Sequence, residues 1–164
     1  MNSALERLLT LRVADIMSKN VVQIGSHETM GDAARLLLEH EISGAPVVDE
    51  VGRCVGVLSG FDFAGREHAR SLRGESAQGK VEHVLVRDRP DEPCHIEDVR
   101  EDVVENYMSP AAQTIRPDVT LLQAARTMCI THLHRLIVLD KQERPAGIVS
   151  SLDIVAALVK VMEE

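Results

Sequence analysis

The sequence predicts an α/β chain, more closely α+β, in which two β-α-β-β-α repeats pack about a pseudo-twofold axis. Three observations carry this. The chain aligns with a shifted copy of itself. Short β-branched runs alternate with stretches of helical apolar spacing. The composition supplies an aliphatic core with almost no aromatics: 45% of the 164 residues are apolar and 2% aromatic.

The repeat decides the architecture. At an offset of 91 residues, 13–64 aligns with 104–155 without a gap. The pairs Met17/Met108, Ser18/Ser109, Thr29/Thr120, Asp49/Asp140, Gly56/Gly147, Ser59/Ser150 and Asp62/Asp153 are among 14 identities in 52 positions. Ordinary composition would give roughly 3 to 4.

Each unit then reads element by element. Val21 to Ile24 is a short apolar run and predicts a strand. Thr29 is a helix N-cap, followed by Met30, Ala33, Ala34, Leu37 and Leu38 at helical spacing. Ala45 to Val48 predicts the second strand, Asp49 to Gly52 a turn, and Cys54 to Leu58 the third strand. A helix begins at Ser59. The second unit repeats the order: strand near Gln113 to Ile115, helix Thr120 to Thr131, strand Arg135 to Leu139, turn near Lys141 to Glu143, strand Ala146 to Val149, and helix from Ser150 to about Met162. One unit of this size buries too little surface to be stable alone, so the copies should pack on each other and leave two related clefts. The predicted organisation is 1–64 for an N-terminal segment and repeat 1, 65–102 for a charged insert, and 103–164 for repeat 2. The earlier part of the insert reads as a mobile loop, and the insert as a linker or as a partner-docking or gating segment. Ile96, Val99, Val103 and Tyr107 are spaced for a helix leading into repeat 2.

Composition excludes several functions. The net charge of −8 disfavours nucleic acid and anionic membrane. The few aromatics offer little base stacking. Three cysteines, Cys54, Cys94 and Cys129, show no paired spacing, which argues for a reducing compartment. Cys54 and Cys129 read as small core residues. Cys94-His95 is at most half a metal site, so no metal is expected. No apolar run is long enough to span a membrane and the N-terminus is no secretory signal, so a cytoplasmic protein is expected.

The motif that asks for chemistry is GVLSGFD at 56–62 and GIVSSLD at 147–153. Either each Ser-x-x-Asp is a capping box at a helix start, or it grips a ligand. A capping box favours Glu or Gln, yet both copies use Asp. A carboxylate at a strand-to-helix junction can accept both hydroxyls of a ribose beside free helix amides. The two roles can coexist.

With these motifs, ISGAPVVDEVGRCVGVLSGFD and HLHRLIVLDKQERPAGIVSSLD, the chain resembles a tandem pair of CBS domains, the Bateman module, over about 13–64 and 103–160. The resemblance implies an energy-sensing regulatory module that binds AMP, ADP, ATP or S-adenosylmethionine and often forms homodimers. It implies a first cleft in which Asp153 holds the ribose, Ser150 lies near ribose or phosphate, and His134 and Arg135 face phosphate. Val22, Ile42, Ser43 and Gly44 would hold the adenine there. The second cleft would use Asp62 and Ser59 for ribose, with Gln113, Leu133 and Leu136 toward the base. Gly44 stands where repeat 2 has Arg135, so this cleft lacks its own arginine unless Arg135 reaches across. The Asp153 cleft therefore ranks first. Bland roles remain open for His134 as a strand-edge imidazole and Arg135 as a surface ion pair.

No nucleophile with its base, phosphate-cradling glycine loop or carboxylate cluster is present in the sequence, so no enzyme and no catalytic cofactor are expected. The two repeats account for most of the chain, which suggests a stand-alone module signalling to an unidentified partner protein. The other class of function is a scaffold whose clefts bind nothing.

Overall fold

The computed structural model describes residues 2–72, 102–110 and 113–163. Helix α1 (Asn2–Thr10) and a single turn, α2 (Val13–Ile16), precede repeat 1. Repeat 1 then runs β1 (Ile24–Gly25), α3 (Met30–Glu39), β2 (Gly44–Val48), β3 (Cys54–Ser59) and α4 (Gly60–Leu72). A 3-10 turn (Val104–Asn106) leads into repeat 2: β4 (Thr114–Ile115), α5 (Leu121–Thr131), β5 (Arg135–Leu139), β6 (Pro145–Ser150) and α6 (Ser151–Glu163).

Each repeat builds one three-stranded sheet, ordered β1-β2-β3 and β4-β5-β6. The first two strands are parallel, joined by a helical crossover, and the last two form an antiparallel hairpin. Register shifts fall at Val47/Val48 and at Val138/Leu139, the same place in each copy. Positive φ recurs likewise, at Glu41 and His132 after the crossover helices and at Gly52 and Glu143 in the hairpin turns. The first strand is shorter than Val21 to Ile24: only Ile24 and Gly25 pair, opposite Val47 and Val48.

The caps follow the sequence. Thr29 Oγ1 accepts the Asp32 N–H at 3.1 Å. Thr120 and Gln123 form a reciprocal capping box at 3.2 and 3.1 Å. These caps satisfy amides that the first helical turn leaves without partners.

Two aliphatic cores result. One holds Ile24, Met30, Ala33, Leu37, Ala45, Val47, Leu58 and, from the other half of the chain, Val104. The second holds Leu121, Ala124, Met128, Leu136, Val138, Val149, Ile154, Ala157 and, reciprocally, Val13. The segment before each repeat thus packs on the opposite repeat. Val13 N–H donates to Val119 O, Leu121 N–H to Leu11 O, and Ser18 and Ile148 exchange two hydrogen bonds of 2.9 Å. On the other side, Met30 N–H donates to Asp102 O and Val104 N–H to Glu28 O, while Val57 and Ser109 exchange bonds of 3.0 and 2.9 Å. The residues leading into repeat 1, with α1 packed against α5 and α6, therefore belong spatially to repeat 2.

Two expectations about the insert are corrected. Residues 65–72 are the second half of α4, not a loop. Arg66 on this helix forks onto Asp102, Nε to Oδ1 at 2.7 Å and Nη2 to Oδ2 at 2.6 Å. Its guanidinium lies 5.9 Å from the centre of the Tyr107 ring. The predicted helix does not extend through 103–107: Val103 bridges to Thr29 and the following turn is 3-10. Ile96, Val99 and the Cys94-His95 pair lie outside the described residues.

Candidate functional site

The strand β3 delivers Ser59 to the start of α4, and the chain folds back so that Asp62 caps its own helix. Asp62 Oδ2 accepts the Ser59 N–H at 2.7 Å and the Ser59 hydroxyl at 2.8 Å. Its other oxygen accepts the Ser109 hydroxyl at 3.0 Å. Repeat 2 does the same: Asp153 Oδ2 accepts from Ser150 N–H at 2.7 Å and Ser150 Oγ at 2.6 Å. The cap is therefore present in both copies. Each aspartate remains half-buried rather than sealed.

Between the two sheets lies a cavity of about 440 Å³, within the range of small-molecule sites. Its apolar wall is Ala45, Pro46, Val57, Ile137 and Ile148. Its polar groups are the hydroxyls of Ser43, Ser59 and Ser109, the Gln113 amide and the Arg135 guanidinium. Arg135 opens β5 and is exposed. Its Nη1 donates to Ser43 Oγ at 2.9 Å, so the guanidinium spans from repeat 2 to repeat 1. Gly44 is needed at its position: a Cβ there would come within 2.9 Å of the Leu58 carbonyl. The arrangement offers a flat apolar slot, hydroxyl partners at the Ser59–Asp62 junction and one cation for an anionic group.

The structure redistributes the residues that the sequence assigned to two clefts. Ser59, Gln113, Leu133 and Arg135 line one cavity together with Ser43 and Gly44. Asp62 stands directly behind, bonded to Ser59 and Ser109. Asp153 lines a different cavity, about 340 Å³, between α1, α2 and α6, beside Arg7, Asp15, Ile16 and Lys160. Neither Val22, Ile42, Ser43 nor Gly44 lines that cavity. Ile42 is half-buried against the first core. Val22 is half-buried as well. Leu136 is buried in the second core, so its side chain is not on a cleft wall. His134 is exposed, and its carbonyl accepts the Ser151 N–H at 2.9 Å.

Sequence reasoning did not single out Ser109 or the apolar wall. The signal was present: Ser18/Ser109 and Val57/Ile148 are paired positions of the repeat. Cysteine placement also needs correcting, because Cys129 is exposed on α5. Cys54 is half-buried, and burial pushes its thiol up, aided by the nearby Glu143 charge and opposed by a hydrogen bond to Gly56 O. Among the described residues no group of three His, Cys, Asp or Glu side chains could hold a metal.

Comparison with known proteins fits this geometry. The CBS domain family matches residues 13–67 and 101–160. This chain belongs to the CBS domain family. A CBS domain-containing protein of Dictyostelium discoideum is 30% identical over 155 residues, covering 92% of this chain and 93% of that protein. An uncharacterized protein of Methanocaldococcus jannaschii is 28% identical over 158 residues, covering 90% of each. Another from that archaeon is 24% identical, and the match covers only 46% of its length. Matches to two archaeal homoserine O-acetyltransferases cover 23% of each enzyme. Among solved structures, the Arabidopsis thaliana CBS-pair protein CBSX2, crystallised with AMP, superposes with a TM-score of 0.69 at 23% identity, covering 93% of this chain and 98% of that one. The CBS domain pair of a protein crystallised with 5-methylthioadenosine and S-adenosyl-L-methionine gives 0.65 at 23% identity, covering 92% and 98%. The tandem CBS pair is thus the fold of this chain, and the two sheets with their cavity are its framework. Among the described residues, no helix is long and apolar enough to cross a membrane.

Proposed function

We propose that this CBS pair is a non-catalytic regulatory module that binds an adenosine-containing ligand in the cavity between its repeats. The observation that carries the reading is the convergence of Ser43, Ser59, Ser109, Gln113 and Arg135 on one apolar slot, with Asp62 hydrogen-bonded behind Ser59 and Ser109. The apolar wall suits a purine. Ser59 and Asp62 suit ribose hydroxyls, and Arg135 suits a phosphate through two charge-assisted bonds. The Asp62 side is the primary site in this reading, because Arg135 reaches it across the repeat boundary and joins three serine hydroxyls and an apolar wall from both sheets, whereas the Asp153 cavity is lined by α1, α2 and α6 with Arg7, Asp15 and Lys160. The ligands crystallised with related CBS pairs, AMP in one and S-adenosyl-L-methionine in another, support this class. ADP and ATP share the same adenosine, and the CBS domain of a bacterial CNNM/CorC family Mg2+ transporter was solved in complex with ATP.

Occupancy biases the packing of the two repeats, and a separate protein reads that bias. The module works as a cytoplasmic homodimer with no nucleic acid or membrane partner, in keeping with its −8 charge. A second reading, a scaffold with no ligand, draws on the caps: both aspartates hold their own helix starts.

Isothermal titration separates the two. On protein freed of co-purified nucleotide, AMP, ATP and S-adenosylmethionine are titrated into wild type, Arg135→Ala and Asp62→Asn. The sensor reading expects saturable binding of at least one compound. Asp62→Asn weakens every binder about tenfold or more, and Arg135→Ala weakens the phosphate-bearing ones about tenfold, the size of one lost charge-assisted contact. No binding by any adenosine compound leaves the scaffold.

A further inference from the structure

The two halves of the chain treat one crevice differently. In each half, the segment leading into one repeat packs on the last helix of the other. The 91-residue offset holds there too: α4 (Gly60–Leu72) and α6 (Ser151–Glu163) correspond residue for residue. Met30 N–H donates to Asp102 O as Leu121 N–H donates to Leu11 O, so Asp102 and Leu11 are counterparts in space as well as in number. On the α4 side the crevice is filled. The Arg66 side chain is 15% exposed, forks onto Asp102 and lies against Tyr107. On the α6 side the counterparts of Arg66, Asp102 and Tyr107 are Ala157, Leu11 and Ile16. A methyl group stands for the arginine and a smaller aliphatic chain for the ring. The space is left as the cavity of about 340 Å³ between α1, α2 and α6, within the range of small-molecule sites.

The charges around this apolar floor are balanced. Asp15 and Asp153 supply two carboxylates, and Arg7 and Lys160 two cations. Asp153, Ala157 and Lys160 follow one face of α6, at spacings of four and three. Seven residues separate Asp153 from Lys160, about 10 Å along the helix axis. Helical side chains lean toward the helix N-terminus, so the long Lys160 side chain shortens that span. Helix α2 packs on both β6 and α6, which sets Asp15 at the Asp153 end. Asp153 accepts from Ser150 through Oδ2, and Asp15 accepts the Arg12 N–H through Oδ2 at 2.8 Å, so each carboxylate keeps its Oδ1 outside those bonds. A simple anion here would meet Asp15 and Asp153, and a simple cation would meet Arg7 and Lys160. A neutral apolar guest would desolvate all four charges without replacing the water. A molecule carrying both charges on an apolar body pairs with both sets and covers the floor.

We infer that this cavity is a second ligand site, for a small zwitterion of the apolar α-amino acid class. Its ammonium faces Asp15 and Asp153, its carboxylate faces Lys160 and Arg7, and its side chain lies on Leu11, Ile16 and Ala157, where the other half places its own Arg66 and Tyr107. The site is separate from the cavity between the sheets and does not depend on the adenosine reading. The test is isothermal titration of the full chain with L-leucine, L-isoleucine, L-valine, L-methionine and L-phenylalanine. The controls are 4-methylpentanoate, which lacks the ammonium, and isoamylamine, which lacks the carboxylate. At least one amino acid should bind saturably, and both controls should bind about tenfold more weakly or worse, the size of one lost charge-assisted contact. Ala156→Leu fills the cavity from an exposed wall position, and Lys160→Gln removes an exposed cation. Each variant, checked for intact folding by circular dichroism, should lose affinity about tenfold or more. No saturable binding by any of the five amino acids overturns the inference. A control that binds as well as the amino acid overturns the zwitterion class. Affinity unchanged in either variant overturns the placement in this cavity.

Discussion

Asp49 and Asp140 have the same task one repeat apart. Each ends the middle strand and draws the hairpin turn together through one carboxylate oxygen. Asp49 accepts from Val51 N–H at 3.1 Å and Arg53 N–H at 2.8 Å, and Asp140 from Gln142 N–H at 2.8 Å and Arg144 N–H at 2.9 Å. The Arg53 backbone amide is the main cause that holds the Asp49 carboxyl below its ordinary value of 3.8. Burial opposes it, while the Arg53 side chain and the Val51 amide add to it. A carboxyl lowered in the folded state contributes stability above its unfolded pKa and loses it as pH falls through the folded value. Asp49→Asn is therefore expected to cost stability at pH 7 and much less in acid below the ordinary carboxylate value. Urea midpoints of both proteins across that range check the sign. The identity Asp49/Asp140 was visible in the repeat, and its turn chemistry was legible from local residue types alone. The Ser-x-x-Asp junctions were legible only in part. Spacing announced the cap, but the partner of the second Asp62 oxygen is Ser109, which arrives from 47 residues away.

At the scale of elements, the crossover helices and hairpins followed from pattern because their determinants are local: a Thr cap, helical apolar spacing and β-branched runs. The exchange of lead-in segments did not, because no local signal says which repeat Val13 or Val104 will enter. Its trace is in the glycines. A Cβ on Gly56 would lie 2.8 Å from Ser109 O and 2.9 Å from Met108 Sδ, and one on Gly147 would lie 2.5 Å from Met17 Sδ and 3.0 Å from Ser18 O. Each methionine lies over the glycine of the opposite repeat, beside the exchanged bonds of Ser18 and Ser109. Gly56→Ala and Gly147→Ala are expected to destabilise the chain by about 1–3 kcal/mol each, since backbone must shift to admit the methyl. Gly60→Ala, where nothing lies within 4 Å, should stay within about 0.5 kcal/mol. Denaturant unfolding of the three variants decides it. The continuation of α4 through Leu72 was missed because its anchor, Asp102, lies 36 residues beyond Arg66.

At the scale of the molecule, the repeats are alike in fold and unlike in chemistry. Gly44 and Arg135 occupy the same position in their units. One copy lets strands approach closely, and the other supplies the only charged side chain among the described residues that line the cavity. Sequence equivalence ranked the Asp153 side first because it carries its own arginine. The folded chain turns that arginine toward Ser43 and the Asp62 side, a direction set by packing between repeats rather than by position in the chain. The central claim is that this shared cavity holds an adenosine compound. It is tested most directly by thermal unfolding of wild type, Asp62→Asn and Asp153→Asn against a panel of adenosine compounds with guanosine controls. At 100 times its dissociation constant a ligand adds about 2.7 kcal/mol, a rise of roughly 5–11 °C for a chain of this size. The account predicts such a rise with an adenosine compound, absent with guanosine, lost in Asp62→Asn and retained in Asp153→Asn. A flat response of nucleotide-free wild type, or a rise indifferent to Asp62, would contradict it.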